Sequence, residues 1–78
     1  MSGEKGNIPM NTITYRFKIF IDAGAVYTAT VVKVVRVEDS IYSYENAENQ
    51  ALDEVKADFV KNFPNTVAFF SVTKHERI

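Results

Sequence analysis

The chain has 78 residues and a formal net charge of −1, with 46% hydrophobic and 24% charged side chains. That size suits one domain, and that composition excludes wholesale disorder, which needs low hydrophobicity and high net charge. The near-neutral charge excludes a whole-molecule attraction to phosphate backbones, and the absence of cysteine excludes disulfides, thiolate nucleophiles and thiolate metal sites.

Residues 1–11 carry two glycines and a proline and lack the apolar core of a signal peptide. They are expected to form a flexible tail, with Met10 as an alternative natural start, ahead of a single domain over 12–78. No apolar run approaches the roughly 20 residues of a membrane span, so a cytoplasmic protein is expected.

From Thr12 to Asp22 the chain alternates, with Ile13, Tyr15, Phe17, Ile19 and Ile21 on one side and Thr14, Arg16, Lys18 and Phe20 on the other. Period-two alternation predicts a strand. Asp22-Ala23-Gly24-Ala25 reads as a tight turn, and Val26 to Val37 as a returning strand. In that second strand Val31, Lys33 and Val35 share one face while Val32 and Val34 lie opposite. Either a bulge near Val31-Val32 re-aims the later side chains, or both faces are partly covered.

After the polar break at 38–42, Ser43 is the predicted N-cap of a helix over Tyr44 to Asn62. Its apolar positions are Tyr44, Ala47, Ala51, Leu52, Val55 and Phe59, with Phe63 following. The opposite side carries acidic residues, and Pro64 ends the helix because the residue before proline disfavours α geometry. Segment 43–63 holds five acids and two bases, against five acids and seven bases elsewhere, so an acidic helix backs a mildly basic sheet. Thr66 to Lys74 reads as a third strand with Ala68, Phe70 and Val72 on one face and Val67, Phe69, Ser71 and Thr73 on the other. The last four residues are expected to fray.

These elements predict an α+β fold, β-β-α-β, with a three-stranded antiparallel sheet of order 2-1-3 and the helix packed on one face through a right-handed crossover. Order 1-2-3 with a parallel pair is the fallback.

No residue set supports a conventional catalytic cycle. His75 is a single imidazole near the end of the chain, the serines sit in no nucleophile-elbow sequence, and three glycines make no phosphate loop. The helix carboxylates read as a solvated face. No cofactor and no metal is expected, and the protein is not expected to be an enzyme. The candidate site is instead the open sheet face, with Arg16, Lys18, Phe20, Val67 and Phe69 as its binding residues. The function expected is a non-catalytic module for protein–protein interaction, inhibitory or regulatory, acting through that face or an edge strand. Its partner is another protein or a second copy in a homodimer. The alternative is single-stranded nucleic-acid binding on the same face, with aromatics to stack on and cations to hold the backbone.

The layout of Tyr15-Arg16-Phe17 opening the first strand, a helix carrying Ala47 and Ala51, Phe63-Pro64 closing it and a short last strand resembles small accessory proteins of bacteriophages. That resemblance implies a protein that binds and modulates a host macromolecule, and it transfers no site residue.

Overall fold

A computed structural model describes residues 11–78; the tail expected over 1–11 lies outside the described residues, Asn11 excepted. The Asn11 carbonyl, just ahead of the first strand, accepts the Asp39 N–H at 2.8 Å. The elements run β1 (Thr12–Asp22), β2 (Thr28–Glu38), α1 (Ser43–Asn62) and β3 (Phe69–Arg77). Both β2 and β3 pair antiparallel with β1, giving the order β2-β1-β3. The fold is α+β, with β1 central because its odd positions supply most of the sheet's buried apolar side chains.

Alternation along β1 decides which side is the core. Ile13, Phe17, Ile19 and Ile21 are buried, and Phe17, Ile19 and Ile21 form one cluster with Val35 of β2 and with Ala47, Ala51, Val55 and Phe59 of α1. The helical four recur every fourth residue, so they lie one above another along a single stripe. Ala47 and Ala51 are fully buried in the same cluster as Phe17. Phe59 fills the wider end, edge-on to Phe70 and stacked on Phe63.

The hairpin is looser than the four-residue turn expected. The ladder ends at Asp22 and Thr28, so β2 starts at Thr28 and not at Val26. Ala23 donates to the Tyr27 carbonyl at 2.8 Å, and the Val26 N–H reaches back to Ala23 at 3.3 Å. Gly24 takes φ +64°, the left-handed region open to glycine, and its N–H is held by Asp22 Oδ1 at 2.9 Å.

No bulge interrupts β2. Its pairing with β1 runs unbroken from Asp22–Thr28 to Thr12–Glu38. The irregularity lies in β3, where Val72 pairs with Ile19 and Lys74 with Lys18, leaving Thr73 as the extra residue. Thr73 Oγ1 donates to the Lys18 carbonyl at 3.3 Å. Beyond Thr73 the strand changes phase and continues to Arg77. The terminal residues are therefore paired rather than frayed, and the Ile78 N–H bonds Thr14.

Ser43 is not the N-cap. It is the first helical residue and is buried, while Tyr42 occupies the cap position without a side-chain bond. The Ser43 hydroxyl accepts the Ser40 N–H at 2.6 Å and lies 2.7 Å and 2.9 Å from the Ser40 and Glu38 carbonyls. A buried hydroxyl needs such partners, and here it staples the β2–α1 connection. At the other end the Phe63 N–H bonds the Phe59 carbonyl while Phe63 itself leaves α geometry at φ −136° and ψ 67°, as the residue before a proline does.

Candidate functional site: the open sheet face

Helix α1 packs on β2 and β1 from one side, which leaves the even-numbered residues of β1 and β2 on the other. Arg16, Lys18 and Phe20 lie on this open face as expected; the first two are exposed and Phe20 is half-buried between Thr30 and Ser71. Phe69 pairs with Asp22 at the start of β3 and is 74% exposed. Val67 does not belong to the face. It precedes β3, in the connection that follows Pro64, and is not part of the sheet.

The face also holds residues beyond the five expected there. Val32 and Val34 of β2, 53% and 57% exposed, pair with Lys18 and Arg16. Because Thr73 shifts the phase, Lys74 and Glu76 join them in place of Thr73, and His75 and Arg77 pass to the helix side. A signal was present in the chain. Continuing the parity of Ala68, Phe70 and Val72 would have driven Lys74 beneath α1, and a bulge avoids burying that charge.

Electrostatically the face is uneven. Arg16 and Glu76, direct cross-strand partners, form a hydrogen-bonded ion pair. Lys18 and Lys74 are also direct partners, and neither forms an ion pair with any described residue. Like charges placed opposite each other across a ladder are destabilising. Together with Arg16, Val32 and Glu76 they line a shallow hollow of about 330 Å³.

On the covered side His75 stands against Tyr44, with ring centroids 4.6 Å apart and Nδ1 3.4 Å from the phenol oxygen. Tyr44 donates to Glu48 at 3.1 Å. That uses the hydroxyl's one hydrogen, so the His75 contact needs the Nδ1–H form. Burial first, then Glu48, raises the Tyr44 pKa above the ordinary tyrosine value. A phenol that holds its proton more tightly is the opposite of an activated nucleophile.

Among the described residues no group of three or more His, Cys, Asp or Glu side chains is placed to hold a metal ion, and no helix is long and apolar enough to cross a membrane. Compared with family models, curated proteins and solved structures, the chain matches none.

Proposed function

We propose that this protein is a non-catalytic binding module whose open sheet face docks another protein. The observation that carries this reading is that exposed Val32 and Val34 stand beside the opposed cations Lys18 and Lys74, with exposed Phe69 at the far end of the same uncovered sheet face. Exposed apolar side chains beside opposed like charges cost stability and solubility in a free domain, and both costs are removed when a complementary surface covers them. A regulatory or inhibitory role, acting on a host macromolecule as the bacteriophage-like layout implies, is the form of binding we favour. Association of two copies through the same face is the simplest variant.

Nucleic-acid binding is the second reading, favoured by the Lys18–Lys74 pair alone. Among the described residues of this face only Phe69 offers a freely exposed ring, since Phe20 is half-buried, and Val32 and Val34 cannot stack on bases. A flat fluorescence titration with labelled single-stranded RNA and DNA at low salt is the expected result.

The direct test places a photo-crosslinking amino acid at position 69, and separately at position 61 on the outer surface of α1. Crosslinks to a common protein from position 69 but not from position 61 support the proposal. Equal yields from both positions, or none from 69, overturn it.

A further inference from the structure

A sheet edge presents backbone groups on alternate residues, and the bonds at both ends of the β1–β2 ladder show which ones. Ala23 bonds Tyr27 and Asn11 bonds Asp39, so the odd-numbered residues of the two strands bond each other. The outward N–H and C=O groups of β2 therefore belong to Thr28, Thr30, Val32, Val34, Arg36 and Glu38. Apart from the Glu38 carbonyl, which accepts from the Ser43 hydroxyl, no described residue pairs with them. This edge is unbroken over 11 residues and free of proline, whereas the β3 edge is interrupted at Thr73.

Beside this edge, on the helix side, lies a second hollow of about 260 Å³. Tyr27, Val31, Val55, Phe59 and Phe63 make it mainly apolar. Lys33 and Asp58 also line it, and Lys33 is ion-paired to Glu54 at 3.7 Å and to Asp58 at 3.6 Å. Two carboxylates around one ammonium leave this rim with an excess negative charge.

We infer that the β2 edge is a strand-addition site: an extended segment of a partner protein pairs with Thr30, Val32 and Val34 and seats one apolar side chain, opposite Val31, in the hollow beside α1. Residues opposite each other across a ladder share a face, so the side chain opposite Val31 points to the helix side, where the hollow opens. The edge supplies affinity through main-chain bonds and the hollow supplies selectivity. The negative rim excludes an acidic side chain at or beside the anchor. It also disfavours a second copy as occupant. Antiparallel self-pairing about a two-fold axis would keep both α1 helices on one face, each lying over its own β2, and would bring both Glu54–Asp58 pairs together across the seam. The inference rests on the reading of the protein as a binding module, but it uses a surface different from the open face.

The test titrates the full ¹⁵N-labelled chain with synthetic peptides of about seven residues, a usual strand length, alternating Thr and Val around a central Leu, Ala or Asp. The Leu peptide is expected to shift and protect the amides of Thr30, Val32 and Val34, and to bind about tenfold more tightly than the Ala peptide because it buries more apolar surface. The Asp peptide and a Leu peptide N-methylated on its bonding amides are expected not to bind. Binding that survives N-methylation, equal affinity for Leu and Asp, or no binding of the Leu peptide overturns the inference. So do β2 amides at 30, 32 and 34 already slow to exchange in the isolated chain, which would mean that the edge is covered by the chain itself or by a second copy. Shifts confined to Arg16, Lys18 and Ser71 would remove the edge site while leaving the open-face proposal standing; crosslinking from position 69 tests that proposal separately.

Discussion

Gly24 is a residue whose conformation no other side chain shares cheaply. A Cβ there meets nothing within 4 Å, so the cost of Gly24→Ala comes from φ alone. We expect a loss of about 1–2 kcal/mol in urea unfolding, the usual cost of the left-handed region for an L-residue. Tyr44 gives a pH-dependent counterpart. Its folded pKa is raised, so the stability linked to it is fully present below the unfolded value of about 10 and is lost as pH rises through the higher folded value. Alkaline titration of tyrosinate absorbance should show this, with Glu48→Gln moving the Tyr44 step back toward the ordinary value. Lys74 carries a prediction of the opposite sign. Opposed to Lys18 on the open face, it should be stabilising to change: Lys74→Glu is expected to raise stability by about 0.2–1 kcal/mol while weakening partner capture. A stability gain accompanied by lost binding is the signature of a position kept for function.

Among the elements, β1 and α1 were the most legible in the amino-acid pattern because each obeys one period from end to end. Phe17, Ile19 and Ile21 keep one parity, and Ala47, Ala51, Val55 and Phe59 one helical stripe, so the sheet order and the covered face followed from them. Local chemistry was legible only in part. Ser43 has the composition of a cap, yet tertiary packing uses its hydroxyl to close the preceding loop instead. The valines of β2 leave open a bulge or two partly covered faces, and neither occurs: β2 is regular, with Val32 and Val34 exposed on the open face. The real bulge sits in β3, where one inserted residue decides whether Lys74 or Thr73 reaches the candidate site. Of the five residues expected at that site, Arg16, Lys18, Phe20 and Phe69 are on the face, and Val67 lies outside it because β3 begins two residues later. Deleting Thr73 should regularise the ladder without exchanging faces. The Tyr44–His75 contact should persist in nuclear Overhauser spectra, with a cost of about 1 kcal/mol for the lost hydrogen bond.

At the scale of the molecule, among the described residues one helix covers one side of a three-stranded sheet, so the buried core lies on that side and the other side is left bare. Truncations on the covered side should be severe: Phe17→Ala is expected to cost about 3–5 kcal/mol, a large share of what a small domain possesses. On the bare side, Val34→Thr should change stability by no more than about 0.5 kcal/mol and act only on partner capture. Both hollows are open to solvent, one centred on Lys18 and Lys74 and the other beside the β2 edge.

The division is tested most directly by methyl NMR with a soluble paramagnetic agent. Neighbouring valines of β2 should separate into two classes, the methyls of Val32 and Val34 broadening strongly and those of Val35, together with Val55 of α1, remaining sharp. If Val32 and Val34 are as protected as Val35, the sheet has no bare side and the account fails.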